Sequence, residues 1–453
     1  MSEAAVSSNA PTGAASGTLR RSLGYWDLVV YGLAYIAPIA PLSTLGFVWN
    51  ESHGMVALAY LLGSVCMYFT AKSYAMLTQT VPSAGSVYGF ARHALGTFPG
   101  FIAGWMILLD YLLIPAFVYV LIAVAMETLL PGVNRAVWIV TLVGTTLAIN
   151  WFGVTVTSKA NAIAVAIQVV VVVGLIALLL VALKAGKGTG ALTLKPFYDA
   201  PRFEAQGIFS ATSLCVLAFL GFDAISTLAE EVKDGSRKTM GNAIIAVLVI
   251  SAVFFVAVAW VCGNVLPGIA FKDPATASYE MAGYAIGPWA AVTLAWCYAI
   301  VVGVSNALPM QVGVARVLFA MGRDRQLPHI LSRVHRVYGT PYVAMLVTTA
   351  ISLAVALVMK DRLDDLGYLV NFGALSGFLM LHVSVINLFA VRGRSRSWFA
   401  HWAVPVLGIA VVLVVLKGMG LLAWIVGLGW LAAGGIYGTV LHRLRRDELT
   451  APL

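Results

Sequence analysis

Charge is scarce in this chain: of 453 residues only 10% are Asp, Glu, Lys or Arg and 60% are hydrophobic, which excludes a water-facing surface over most of the molecule. Cysteine is scarcer still. Cys66, Cys215, Cys262 and Cys297 fall within or at the ends of apolar stretches without CxxC spacing, and so read as free, packed thiols. The seven histidines are scattered and form no metal-like spacing, so no metal or cofactor is expected and a polytopic membrane enzyme lacks its usual cluster. No sensory or signalling domain is recognisable, which argues against a receptor. No linker interrupts the apolar runs, and residues 1–19, Ala/Ser/Gly-rich and uncharged except Glu3, do not resemble a cleaved signal peptide.

What is present is apolar length. Windows of roughly 20 residues place membrane spans near 25–48, 55–80, 97–130, 135–156, 160–183 and 207–231. Six more follow near 240–263, 286–322, 341–359, 365–391, 402–417 and 420–441. The expectation is an all-α polytopic membrane protein of 12 transmembrane helices forming one domain over 20–441, with a disordered tail at 1–19 and a second tail at 442–453. About 19 Lys and Arg fall on the amino-terminal side of this topology and about nine opposite, so the positive-inside rule puts both tails in the cytoplasm. The same distribution explains the net charge of +9 through short loops at one membrane face, with no nucleic acid partner.

Two spans carry helix breakers at corresponding places. The first holds Gly32, Pro38 and Pro41; the sixth holds Gly221, Phe222 and Asp223. In spans one to five, and again in six to ten, the first is broken and the third, 97–130 or 286–322, is overlong. A unit of five spans must insert its second copy upside down, which gives inverted repeats over about 25–183 and 207–391, with helices eleven and twelve (about 402–441) appended. Interrupted helices in the two halves mark a binding site at the membrane midplane.

Ionisable groups at depth are costly and point to function. Asp110, in GWMILLDYLLIP, lies near mid-depth and reads either as an amine- or proton-binding group or as a hydrogen bond to a neighbouring helix. Asp223 joins it at the second break. Glu230 and Glu231 lie near the cytoplasmic interface facing Lys233, Arg237 and Lys238, as solvated caps or as a proton path. Tyr111 and Phe222 offer aromatic walls or packing. Ser305 and Asn306, in the eighth span, either complete the site or join helices. Pro38 and Pro41 cannot donate and so free carbonyls upstream, which suit cations or amines.

These residues resemble the amino acid, polyamine and organocation permease superfamily along nearly the whole chain. The resemblance rests on GLAYIAP in the first span, PSAGSVYGFAR after the second, GFDAISTLAEE in the sixth and ARVLFAMGRDRQLP leading out of the eighth. LRRSL, LLDY, FKDP near Phe271 and NFGALSGF at Asn371 are similar to the bacterial putrescine importers. The resemblance implies two inverted five-helix repeats, alternating access and proton-driven uptake at the bacterial inner membrane. It implies that Ala37, Pro38 and Ile39 in the first break, and Leu220, Gly221, Phe222 and Asp223 in the second, hold the substrate. Asp110, Tyr111 and Glu230 or Glu231 match acidic and aromatic positions of the importers. The chain departs from amino acid members in having prolines at the first break and Gln168 where a fifth-span lysine is common. It departs from the putrescine importers in having Ser43 where an acidic residue precedes Thr44 and Gly46. The expected activity is import of an organic amine, with an amino acid as the alternative substrate and protons as the coupling ion. Among the carboxylates, Asp110, Asp223, Glu230 and Glu231 are the proton-coupling candidates.

Overall fold

In a bilayer the backbone has no water to bond, so each long apolar run closes its hydrogen bonds on itself as a helix. A computed structural model describes residues 24–81, 87–153, 158–228, 232, 237–393 and 397–444. In chain order the first half comprises α1 (Tyr25–Ile36), α2 (Ala40–Ser43), α3 (Leu45–Glu51), α4 (Val56–Thr80), α5 (Val87–Leu95), α6 (Thr97–Leu129), α7 (Arg135–Trp151), α8 (Ser158–Lys184) and α9 (Ala205–Leu217). After a 3-10 turn at Phe222–Leu228 come α10 (Arg237–Val265), α11 (Ala277–Ala285), α12 (Pro288–Trp296) and α13 (Leu308–Arg323). The chain ends with α14 (Tyr342–Val358), α15 (Leu363–Val385), α16 (Val404–Lys417) and α17 (Leu421–Leu444).

Among the described residues ten helical segments, from Tyr25–Ser43 to Leu421–Arg443, are long and apolar enough to cross a membrane. The apolar helices α7 and α14 are shorter, at 17 residues each. The first span breaks at Pro38, but Gly32 does not contribute: α1 runs through it, and Gly32 packs against Ile225 and Val247. The fourth span stops at Trp151, earlier than its apolar run, because Gly153 follows in a left-handed turn at φ 73°. The overlong eighth span is not one regular helix. Between α12 and α13 its backbone widens into a π-helix at Cys297–Ala307. The short helices α5 and α11, between spans, were not legible from the run lengths.

Neighbours are set by apolar faces. α4 packs along α10, α6 along α15, α1 on α8 and α10, and α9 on α4 and α15. α6 also meets α7, α14 and the π segment, while α13 meets α7 and α14 and the π segment meets α8. α17 is fastened to α6 by a reciprocal pair: the Trp105 and Trp430 indoles each donate to the other's backbone carbonyl at 2.8 Å, with rings stacked 4.6 Å apart.

One end of the bundle is closed by an ion cluster. The Arg135 guanidinium donates to Glu127 at 2.8 Å, to Asp273 at 3.0 Å, to Asp361 at 3.4 Å and to the Lys360 carbonyl at 2.9 Å. These partners come from the end of α6 and from the segments before α11 and α15. Asp273 also caps the 3-10 turn at Pro274–Thr276, which lies directly on α3: a side chain at Gly46 would run into the Pro274 carbonyl and Ala277. Arg135→Gln leaves three carboxylates around a vanished cation. Because those carboxylates are 37–65% exposed, the expected loss is about 1–3 kcal/mol, read as a lower Tm of the purified protein. Arg135→Lys should recover only part of it, since an ammonium cannot reproduce the forked geometry.

Candidate functional site

At the first break Ala37 adopts φ 59°, ψ 107°, a conformation L-residues other than glycine and asparagine rarely take. The backbone donors around it are all absent or engaged. Ala37 N–H donates to the Leu33 carbonyl at 3.1 Å and Ala40 N–H to the Ala37 carbonyl at 2.9 Å, while Pro38 and Pro41 have none. Ile39 N–H donates to Gln168 Oε1 at 3.5 Å. The carbonyls at the break are taken as well. Asn306 Nδ2 donates at 3.5 Å to the Ala34 carbonyl, which Pro38 frees, and at 3.3 Å to that of Tyr35, while the Ile39 carbonyl accepts from Leu42 N–H at 3.1 Å and from the Tyr298 hydroxyl at 2.8 Å. The Ser305 hydroxyl lies 2.7 Å from Asn306 Oδ1, and Gln168 Nε2 donates to Ser305 Oγ at 3.5 Å, so α8 and the π segment grip the break together. The widened π turn brings Tyr298, Ser305 and Asn306 to bear on one stretch of backbone, a frequent use of π-helices at functional sites.

The second break starts where α9 stops, at Leu217, three residues earlier than the expected Leu220. Ala218, Phe219 and Leu220 close tight turns, and Gly221 takes φ 112°. Glycine is required there twice over. A Cβ would fall 3.2–3.3 Å from the Tyr35 carbonyl carbon and oxygen, so the two breaks touch backbone to backbone. The chain then continues as a 3-10 turn, not as an α-helix, in which Ala224 N–H donates to the Gly221 carbonyl at 3.1 Å and the Asp223 carboxylate turns back toward the N–H groups of its own turn. Tyr74 from α4 adds a side-chain donor, its hydroxyl 3.3 Å from Asp223 Oδ2.

Asp110, on α6, faces Asp223 closely enough for the two carboxylates to repel. It is 6% exposed, and its Oδ1 is buried with no hydrogen-bond partner among the described residues. Among the described residues neither aspartate has an ion-pair partner. Tyr111 neighbours both aspartates and Tyr35 neighbours Asp223, while the Tyr31 and Tyr35 rings lie 5.0 Å apart. Pro115 sits one turn beyond Tyr111 in α6 and cannot donate to its carbonyl. Adjoining both breaks is a narrow cavity of about 60 Å³, lined by Ala37, Ile39, Ser43, Leu220, Tyr298 and Asn306 among others.

A model of the family described as amino acid permease matches residues 27–434. The chain belongs to that family. The permease is 30% identical to the low-affinity putrescine importer PlaP of Escherichia coli (strain K12) over 426 residues, covering 92% of this chain and 93% of the relative. It is 29% identical to the branched-chain amino acid permease BcaP of Bacillus subtilis (strain 168), covering 92% of each. It is 25% identical to the methylthioribose transporter of the same organism, over 92% of this chain and 93% of the relative. The permease is therefore a multi-pass membrane transporter and not an enzyme, while three relatives of different named substrates leave its cargo to be argued from its own residues.

The site gathers most of the residues expected of it. Ala37, Ile39 and Leu220 line the cavity, Pro38 and Gly221 shape the breaks, and Asp110, Tyr111 and Asp223 form the acidic cluster. Ser305 and Asn306 act as the clamp, with Asn306 also reaching the cavity. Phe222 is different: it is fully buried and packs edge-on against Tyr74 at 5.7 Å and beside Phe378 at 6.1 Å, so it supports the site from behind. Glu230 and Glu231 lie outside the described residues. Gln168, Tyr74, Tyr298, Tyr31 and Tyr35 stand at the two breaks without having been marked by the sequence as site residues, although Gln168 replaces a lysine common in amino acid members. Asn306→Ala should release two freed carbonyls, lowering stability by about 1–3 kcal/mol and transport more than stability. Gly221→Ala should cost about 1–3 kcal/mol and abolish transport even in variants that still purify as monodisperse protein. Thermal unfolding alongside uptake measures both.

Proposed function

We propose that this permease is a secondary active importer of an organic amine, putrescine or a related polyamine. It is driven by protons and works by alternating access in the bacterial inner membrane with both termini cytoplasmic. The observation that carries this reading is the state of the backbone donors. An α-carboxylate needs free N–H groups at the breaks, and here those of Ala37, Ile39 and Ala40 are engaged, that of Ala224 donates to the Gly221 carbonyl, and those of Gly221 and Asp223 face the protein's own Asp223 carboxylate. What the site offers instead is two unpaired carboxylates among tyrosine rings. An ammonium bridging Asp110 and Asp223 relieves their repulsion, and the tyrosines sheathe the attached methylenes. Two carboxylates provide one place for an ammonium and one for a proton, the minimum for co-transport. Glu230 and Glu231 are further candidates for proton exchange with the cytoplasm. The named substrate of the relative PlaP agrees with this chemistry.

The 12-span architecture of two inverted five-helix repeats is supported by how neighbours pair. Exchanging each span with its counterpart five places away in the other half converts one set of contacts into another: first with seventh (α1, α10) into sixth with second (α9, α4), and first with fifth (α1, α8) into sixth with tenth (α9, α15). Third with fourth (α6, α7) becomes eighth with ninth (α13, α14), and third with tenth becomes eighth with fifth. Such pairing is what a twofold relation between the halves requires. Alternating access is supported by an asymmetry along the bundle. α3 is closed off under the Pro274 turn, whereas Tyr31, Tyr35, Tyr111 and Asp223 keep partial exposure at the other side of the breaks.

Ser43 favours a second reading, an amino acid permease, because it leaves the first break one anion short of what a dication would use. The two are separated by liposomes containing only the purified protein and an imposed proton gradient. Labelled putrescine should accumulate, and Asp110→Asn and Asp223→Asn should each reduce its initial rate by about tenfold or more, as loss of one partner of a buried charge pair does. Accumulation that needs a free α-carboxylate and ignores putrescine would establish the amino acid reading. Undiminished uptake in both aspartate variants would remove the acidic pair from the mechanism.

A further inference from the structure

A single histidine stands inside the apolar run GFLMLHVSVI of α15, away from the two breaks. This residue, His382, is fully buried, where an imidazole without hydrogen-bond partners would be costly. Among the described residues its partners stand about one turn apart on α4: Ser73 Oγ lies 2.9 Å from Nδ1 and Thr70 Oγ1 lies 3.4 Å from Nε2. Thr70 also donates to the Cys66 carbonyl at 3.4 Å, which assigns the ring proton to Nε2 and makes the Ser73 hydroxyl the donor to Nδ1. One neutral tautomer thus satisfies both hydroxyls. α16 closes a further side, since a Cβ at Gly408 would run into the ring. The imidazole is held where α4, α15 and α16 pack on one another.

Next to Ser73 on α4 is Tyr74, the donor to Asp223. Its ring is met edge-on by Phe90 of α5 at 6.0 Å, by Phe222 at 5.7 Å and by Phe378 of α15 at 5.9 Å. Phe378 and His382 are four residues apart and so share one face of α15. That face meets α4 twice, through Phe378 on the Tyr74 ring and through His382 on the residue before it. Apolar contacts are non-directional, so three phenylalanine rings confine the Tyr74 ring without fixing how far α4 is turned about its axis. Hydrogen bonds are directional, and the two from α4 to the imidazole do fix it. The Tyr74 hydroxyl stands at the far end of its side chain, where a small rotation of α4 displaces it most. Its 3.3 Å bond to Asp223 is already near the long limit for such a bond.

We propose that His382 is a positioning residue for transport: through Ser73 and Thr70 it sets the rotation of α4 and so keeps the Tyr74 hydroxyl on the Asp223 carboxylate. The tenth span thereby acts on the site through the second span, without supplying a group to the substrate. This rests on the reading of Asp223 as an amine-binding carboxylate.

Initial rates of labelled putrescine uptake into liposomes, resolved into KM and maximal rate, test it through a double-mutant cycle. Tyr74→Phe deletes the hydroxyl and should raise KM about threefold to tenfold, the worth of one hydrogen bond, with the maximal rate within about twofold of the parent. His382→Leu keeps the side-chain volume, loses both bonds and should raise KM by the same factor. His382→Asn returns a polar atom to the Nδ1 position and should recover most of the loss. In the Tyr74→Phe background, His382→Leu should raise KM no further. Factors that multiply in the double variant, or a lower maximal rate at unchanged KM, would show that His382 serves only the stability of the bundle and overturn the proposal. Should His382→Leu fail to fold, Ser73→Ala deletes the shorter bond and leaves the imidazole in place, and an unchanged KM there overturns the proposal equally. Failure of the underlying reading looks different: Asp223→Asn would take up putrescine at the parental rate, or the parent would not accumulate it, and either result removes both.

Discussion

A membrane helix can be broken only if something other than water takes up the backbone groups it releases, and the centre of this permease is organised around that debt. The Asn306 amide reaches the Ala34 and Tyr35 carbonyls, Tyr298 reaches the Ile39 carbonyl, and Gln168 accepts from the Ile39 N–H. Those three side chains come from the fifth and eighth spans, and the π turn at Cys297–Ala307 is what aims two of them. Pro38 and Pro41 keep the chain between Ile36 and Ala40 unwound, and this support satisfies the polar groups that the break releases. The second break is handled differently: Asp223 folds back onto its own N–H groups, and Gly221 allows it to rest on the first.

The two solutions together decide the polarity of the site. The first break is satisfied by neutral amides and a phenol. The second is satisfied by a carboxylate that also faces Asp110. Negative charge is thus built in at the second break, and neither aspartate has an ion-pair partner among the described residues, although Arg316 of α13 lies within charge range of Tyr35. The tyrosines around it supply polarisable faces without adding charge. This polarity is what the proposed amine substrate rests on.

Much of this was legible in the sequence, for local reasons. Proline lacks an N–H wherever it stands, so Pro38 and Pro41 locate the first break to the residue. A lone aspartate in an apolar run must matter, so Asp110 announces itself. What was hidden is nonlocal. Tyr74, Tyr298 and Gln168 stand in ordinary apolar helices, and only the packing of α4, α8 and the π segment reveals that their polar atoms converge. The π-helix itself keeps the composition of an α-helix and shifts only its register. Phe222 misled for a related reason: only the packing shows that its ring lies against Tyr74 and Phe378 behind the site. Gly32 looked like a breaker because glycine often is, whereas here it serves a close helix contact.

Ala37 carries one more implication. Glycine would hold φ 59° without resistance, but alanine resists, and a residue kept in so sparsely populated a region stores about 1–3 kcal/mol. The unwound stretch is therefore a loaded spring, and the Asn306, Tyr298 and Gln168 bonds are its catch. Pro38 and Pro41 forbid a return to regular helix, so loss of that grip would let Ala37 relax its φ while the stretch itself stays broken.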